Sequence, residues 1–276
     1  MIVAVGILAR LSILGWSAPW TPHQADEHIL PLDALALWEG ITPREVGWPA
    51  STTRLILSGE AAALWFADEG REAWAHRHEP DLALQSVTTW IGQRYVDPAP
   101  LYKLGRWTSI ATGVLYVVAT AWALGQWAGP VGAAVGTLAA AIGPLQVVYS
   151  QFCLADITGL LFATWLAGLA ANPTPRRVLG MAALAGLAAS SKFHFGVWLL
   201  TPLLSVWLHP SMARGRKWRA VLVTLAMAAW VIVTFVPWFW VNPLLALKEF
   251  AGVVLVKVGH GASPARIISN TVAIFG

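Results

Sequence analysis

The sequence predicts an all-α protein, a polytopic membrane helix bundle with about seven transmembrane helices and a long outer loop after the first span. Hydrophobic residues make up 57% of the chain and charged residues only 12%, whereas soluble domains contain about 25% charged residues. The apolar residues fall into runs, several of them near the roughly 20 residues that a helix needs to cross a bilayer. The 17 Trp residues are typical of a chain with much membrane–water interface.

We interpret residues 1–276 as a single transmembrane module. Its first apolar run is not a cleaved signal peptide, because it lacks a basic leading region and contains Arg10. A single cysteine, Cys153, excludes an internal disulfide and a cysteine-based metal site. The predicted crossings are about 2–18, 104–126, 130–149, 155–172, 177–191, 193–208 and 219–241.

Basic residues in short loops predict the direction of these spans. Arg176 and Arg177 lie between the fourth and fifth spans, and a cluster at 214–219 lies between the sixth and seventh. Both loops should be cytoplasmic under the positive-inside rule. Lys192 then marks an outer turn between two short helices, and the N-terminus is cytoplasmic. The basic residues thus indicate topology, and the net charge of +4 does not indicate nucleic-acid binding.

Two long segments, together with the short loop 150–156, are predicted to lie outside the membrane on its outer face. The first, 19–103, is rich in charge, Trp and Pro, and its stretches 32–38 and 54–74 have the pattern of amphipathic helices that lie in the interface plane. The second, 242–276, is interpreted as the start of a later outer loop. Glu60 falls within the apolar part of the first segment, which is too short to span.

Acidic residues occur at the outer ends of two predicted spans. Asp156 is the only charged residue between Trp107 and Pro175, and Asp26 and Glu27 follow the first span. A carboxylate at the edge of hydrocarbon is energetically expensive unless it faces water or a partner, so an acid at this position is a candidate for a functional site. Each acid could instead cap or charge the first turn of the helix that follows it, and both roles could hold together.

The basic candidates also have structural alternatives. Arg106 could bind a phosphate or anchor the second span at the interface. Lys192 and His194 could meet a lipid phosphate, although snorkelling explains Lys192 equally well. Arg10 requires a partner or a route to water, with Asp156 or a lipid phosphate as candidates. The His76, His78 and Glu79 group is interpreted as part of a solvated loop, in preference to a metal site.

The order of several short motifs resembles one family of membrane enzymes. The acidic pair in the first outer loop is followed by Leu-Gly-Arg106, Ile-Gly-Pro144 and an outer loop ending in Asp156. Further matches begin at Gly186 in Gly-Leu-Ala-Ala-Ser-Ser-Lys-Phe, at Val241 in Val-Asn-Pro-Leu-Leu-Ala-Leu-Lys-Glu-Phe, and at Lys257 in Lys-Val-Gly-His-Gly. This pattern resembles the GT-C superfamily of membrane glycosyltransferases, in particular the group of protein O-mannosyltransferases and aminoarabinose transferases.

The resemblance implies transfer of a sugar from a polyprenyl-phosphate carrier to an acceptor hydroxyl on the outer face of the plasma (inner) membrane. It implies catalytic roles for Asp26, its neighbour Glu27 and Asp156, and carrier-phosphate binding by Arg106. The positive charge of Lys192 at a predicted outer turn suggests a second contact to the carrier phosphate. The Gly-His-Gly match suggests His260 as a third. Whether Asp26 and Asp156 hold a divalent cation on oxygen ligands is left open.

Other functions fit parts of the same pattern. A transporter or flippase could use the outer acids for coupling, although no internal repeat is visible. Family members are longer, so we also expect that the chain is a fragment, a truncated product or a minimal module, which leaves its independent activity open. The sequence does not indicate which sugar is transferred, or whether the acceptor is a glycan, a lipid or a protein.

Overall fold

A computed structural model describes residues 1–11, 29–39, 51–76, 78–152, 155–209 and 212–241, together with 243, 244 and 247. Every element in these residues is helical, which confirms the predicted all-α class. Short 3₁₀ helices cover Leu37–Glu39 and Phe193–Leu199. The α-helices are α1 (Ile2–Leu11), α2 (Ile29–Ala36), α3 (Ser51–Ala75), α4 (Pro80–Val96), α5 (Ala99–Ile142), α6 (Pro144–Gln151), α7 (Ala155–Ala170), α8 (Pro175–Ser191), α9 (Leu200–Trp207), α10 (Arg214–Phe235) and α11 (Trp238–Val241).

Helix α5 is a hairpin of two arms, 99–128 and 130–142. Gly129 lies between them with φ of 69° and ψ of −173°, a conformation that glycine adopts without strain, and Pro130 follows. Tyr116 and Ala140 share one packed cluster, although 24 residues of straight helix would separate them by about 36 Å. The chain therefore reverses at the gap between the predicted spans 104–126 and 130–149.

Two described helices, α5 and α10, are long and apolar enough to cross a membrane. Three shorter apolar helical segments accompany them, at Ile2–Leu11, Ala155–Ala170 and His194–Trp207. Several predicted span boundaries needed correction. Helix α5 begins at Ala99, five residues before the predicted start, because Pro98 and Pro100 suit a helix N-terminus. The basic cluster predicted as a loop forms the first turns of α10, since Arg and Lys are good helix formers.

The predicted break at Lys192 is present. Helix α8 ends at Ser191, Lys192 is extended (φ −159°, ψ 131°), and a 3₁₀ helix leads into α9. Val178 near the start of α8 packs in one cluster with Val206 near the end of α9. These two helices are therefore antiparallel, as the sequence predicts, but the second is partly 3₁₀.

Small residues let α8 lie close to its neighbours. Ala182, Ala185 and Ala188 are buried along one side of it. A Cβ at Gly186 would lie 2.9 Å from the carbonyl oxygen of Ala228 on α10, so this crossing requires glycine. Such small-residue contacts are typical of helix packing in membranes, where close backbone approach provides the attraction.

Part of the tryptophan content forms an aromatic core outside the main bundle. Trp90 of α4 is buried against Leu35, Ala61 and Leu101, which come from α2, α3 and α5. Trp38 stacks on Trp90 with ring centroids 5.9 Å apart. Helices α2, α3 and α4 thus form a packed aromatic layer, a use of Trp that the predicted interfacial indoles do not include.

The bundle has two chemically different ends. We call the basic end the one formed by the turn at Gly129, residues 171–177 and residues 208–219. At this end Trp127 donates a hydrogen bond to the Ala167 carbonyl at 2.8 Å, and Lys217 donates one to the Trp207 carbonyl at 2.7 Å. We call the polar end the opposite one, formed by residues 99–106, the first turns of α3 and α7, and the last turn of α8.

Candidate functional site at the polar end

Asp156 and Lys192 form an ion pair at the polar end. The Lys192 ammonium lies 2.6 Å and 2.7 Å from the two carboxylate oxygens of Asp156. The side chains are 17% exposed for Asp156 and 26% exposed for Lys192, so both are largely withdrawn from solvent. The sequence predicts both residues as members of a site, and the structure brings them together.

The two helices that carry this pair favour its charges. Asp156 lies in the first turn of α7, where the helix dipole stabilises an anion, and Lys192 directly follows α8, where the dipole stabilises a cation. Helices α7 and α8 are antiparallel neighbours, so these termini meet at the same end. The pair is thus fixed by helix geometry as well as by charge.

The first turn of α3 is fastened to the same place. Thr53 donates a hydrogen bond to the Thr158 hydroxyl at 3.2 Å, and Thr52 donates one to the Leu187 carbonyl at 3.4 Å. Arg54 forms a second ion pair with Asp33 of α2 at 2.5 Å. Helices α2 and α3 therefore cover the polar end beside Asp156, a connection that the sequence analysis missed.

Arg106 occupies the polar end of the first arm of α5 and is buried. Its height along the bundle axis follows from the contact between this arm and α6. A Cβ on Gly113 would overlap the Ser150 side chain, so these two residues are at the same height. Arg106 precedes Gly113 by seven residues on the same helical arm, so it lies about 10 Å closer to the polar end. Asp156 lies on the same side of Ser150.

Glu60 is a second acid near this end, and it is half-buried. Its Oε1 accepts a hydrogen bond from the Thr108 hydroxyl at 2.5 Å, and Oε2 has no partner within the described residues. Burial raises the pKa of the Glu60 carboxyl, and the Thr108 hydrogen bond opposes that shift only in part. In the sequence, Glu60 is the one acid within the apolar stretch 55–66, and this is the signal that marks it.

Arg10 has a different partner from the two expected. Its guanidinium, fully buried, donates to Ser150 Oγ at 3.2 Å and to the Ala141 and Ala140 carbonyls at 2.9 and 3.3 Å. Helix α5 ends just beyond these carbonyls and Pro144 has no N–H to offer, so the oxygens would otherwise lack donors. Arg10 is thus bonded to serine and carbonyl oxygens, whereas Asp156 is paired with Lys192.

The remaining predicted site residues are Asp26, Glu27 and His260, and they lie outside the described residues. Helix α1 nevertheless runs toward the polar end, because Gln151 donates a hydrogen bond to the Ala9 carbonyl at 3.0 Å. The placement of the acidic pair beyond α1 stays a prediction.

The surroundings of Asp156 do not fit a divalent cation in this arrangement. The Lys192 ammonium already bonds both of its carboxylate oxygens, so a metal ion would have to displace a positive charge. Within the described residues, no group of three His, Cys, Asp or Glu side chains could hold a metal ion. His76 and Glu79 approach each other to 3.6 Å, in an exposed turn.

Comparison with protein-family models, with characterised proteins and with solved structures finds no match to this chain.

Proposed function

We propose that the protein is a membrane glycosyltransferase of GT-C type, which transfers a sugar from a polyprenyl-phosphate carrier to an acceptor hydroxyl. The observation that carries the proposal is the Asp156–Lys192 ion pair at one end of a strongly apolar bundle. A charged pair there requires a reason beyond packing, because replacing such pairs by apolar residues is often neutral or stabilising. The motif order described above supports the same function.

The proposed setting is a multi-pass protein of the plasma (inner) membrane. In this proposal the seven crossings are α1, the two arms of α5, α7, α8, the segment 193–207 and α10. All six cationic residues between 170 and 220 other than Lys192 lie at the basic end, which the positive-inside rule assigns to the cytoplasm. The polar end then faces outward, where the lipid-linked donor is presented.

In the proposed reaction Asp26 is the general base. The acceptor hydroxyl attacks the anomeric carbon of the sugar, and its proton passes to the Asp26 carboxylate. The bond between the anomeric carbon and the phosphate oxygen breaks as the new glycosidic bond forms. The polyprenyl phosphate leaves with the bonding electrons, so atoms and charge balance without an added cofactor.

The other charged residues have binding and positioning roles in this proposal. Arg106 binds the carrier phosphate, for which a planar guanidinium is well suited. Asp156 holds the Lys192 ammonium at the entrance, so that the cation is already oriented when the phosphate arrives. Glu27 and His260 are proposed as further contacts to the acceptor and to the carrier phosphate, respectively.

Purified protein in liposomes, supplied with a panel of polyprenyl-phosphate sugars and acceptors, tests the proposal. Asp26→Asn should lower transfer by about 10²- to 10⁴-fold, the usual contribution of a general base, while donor binding is retained. Arg106→Ala should instead weaken donor binding. Loss of less than about threefold in Asp26→Asn would reject the base, and donor movement across the membrane without a transfer product would indicate a transporter.

A further inference from the structure

The basic end of the bundle contains an apolar cavity between α8, α9 and α10. Its volume is about 240 Å³, and its walls are mainly aliphatic, including Val178, Leu179, Val206 and Val223. A wider groove of about 630 Å³ continues from it past Pro173 and Ser205 toward Trp198. The two share Pro173, Ser205 and His209 in their linings, so they adjoin each other, and their largely apolar walls suit a hydrocarbon chain.

Basic residues lie in and near the lining of this cavity. Arg219 lines it directly, and Arg176 adjoins Pro175, which also lines it. Arg214 and Arg216 begin the helix that carries Arg219. No Asp or Glu occurs between Asp156 and Glu249 in the sequence, so this stretch provides no acidic partner for these cations. Within the described residues, Arg219 has no ion pair or hydrogen bond from its side chain.

We propose that this cavity is a binding site for an anionic phospholipid. An acyl chain lies in the cavity and along the groove, and the phosphate of the headgroup binds Arg219 at the mouth. Basic pockets between membrane helices on the cytoplasmic side are known to suit anionic headgroups. The charge at the mouth selects the anionic headgroup and the aliphatic walls select a diacyl lipid over free phosphate. The inference requires that the bundle spans a membrane but does not depend on the transfer reaction.

Two pairs of substitutions separate the headgroup contact from the chain contact. Arg219→Gln removes the proposed phosphate contact, and Arg71→Gln, an exposed arginine on α3, is its control. Val223→Trp fills the cavity, and Val233→Trp on the same helix is its control. Val223 and Val233 are 52% and 44% exposed, and only Val223 lines the cavity.

The test is retention of lipid by the intact chain in detergent, measured by native mass spectrometry with phosphatidylglycerol and phosphatidylcholine. We expect phosphatidylglycerol to be retained at least about tenfold more strongly. Arg219→Gln should lower its retention about fivefold, in line with the contribution of one basic residue near a lipid headgroup. Val223→Trp should lower retention of both lipids, and the two control variants should behave as the wild type.

Three results would overturn the proposal. One is equal retention of the two lipids by the wild type. Another is an equal loss in Val233→Trp and Val223→Trp, which would show that the cavity is not the site. The last is displacement of the lipid by millimolar inorganic phosphate, which would show a headgroup site without a chain site. Transfer activity is a separate readout, so a failure here leaves the proposed function untouched.

Discussion

Substituting the Asp156–Lys192 pair should reveal a strong coupling between its two members. Asp156→Asn and Lys192→Gln each remove one charge and leave the other partly buried. Removing one partner of a buried pair costs about 3–5 kcal/mol, and an exposed pair contributes at most about 1 kcal/mol. With exposures of 17% and 26%, we expect each single substitution to lower the free energy of unfolding by about 2–3 kcal/mol.

The double variant should be little worse than either single variant, because it leaves no unpaired charge. The resulting coupling energy should therefore be about 2 kcal/mol. Unfolding by dodecyl sulfate in mixed micelles, followed by the helical circular dichroism signal, provides the free energies for all four proteins.

Asp81→Asn is a matched control for the helix dipole. Asp81 is the second residue of α4, as Asp156 is the second residue of α7, but it is exposed and has no ion pair within the described residues. Its loss should lower stability by at most about 1 kcal/mol. If Asp156→Asn has no larger effect than Asp81→Asn, or if the two single effects simply add, the ion pair does not stabilise the polar end.

Two further predictions concern tight packing and pH. Gly113→Ala should destabilise the bundle by about 1–3 kcal/mol, because the added Cβ would lie 2.5 Å from Ser150 Cβ. Gly125→Ala is the control and should be neutral or stabilising, because nothing lies within 4 Å of a Cβ added there. Equal effects of the two substitutions in thermal unfolding would contradict this packing. Because the folded-state pKa of Glu60 is raised, its contribution to stability is full below pH 4.5 and is lost as the pH rises through that pKa. Glu60→Gln should thus be more stable than the wild type at pH 7, with a difference that shrinks toward pH 4; parallel pH profiles would refute this.

Local sequence signals were sufficient for several features of the fold. The gap before Pro130 predicted the reversal in α5, and the lone charge at Lys192 predicted the break after α8. Both are short-range effects, because a glycine–proline step or a charge in an apolar run disfavours a continuous membrane helix at that point. The amphipathic pattern of 54–74 likewise predicted helix α3.

The partners of the charged residues could not be predicted in the same way. Asp156 and Lys192 were each identified singly, but they are 36 residues apart, and only the packing of α7 against α8 joins them. Arg10 binds carbonyls that lack donors only because α5 ends where it does. Such pairings depend on which helix ends meet, and a composition or charge pattern along the chain does not contain that information.

The Trp-rich composition of residues 19–103 also predicted only one of the two uses of its Trp side chains. Trp is favoured at membrane interfaces, and it is equally able to form a compact aromatic core. Trp38 and Trp90 take the second role in the structure. Without knowledge of how α2, α3 and α4 pack, the sequence does not distinguish these two uses of an indole.

The central claim, that the polar and basic ends face opposite sides of a membrane with the polar end outward, is tested most directly by cysteine labelling. Single cysteines at exposed positions 79 and 97 in the first outer segment, and at 176 and 216 at the basic end, are introduced into a Cys153-free protein. A membrane-impermeant maleimide should modify 79 and 97 in sealed cells and reach 176 and 216 only after lysis. Labelling of 216 in sealed cells, with 97 protected, would contradict the orientation and the outer-face site that depends on it.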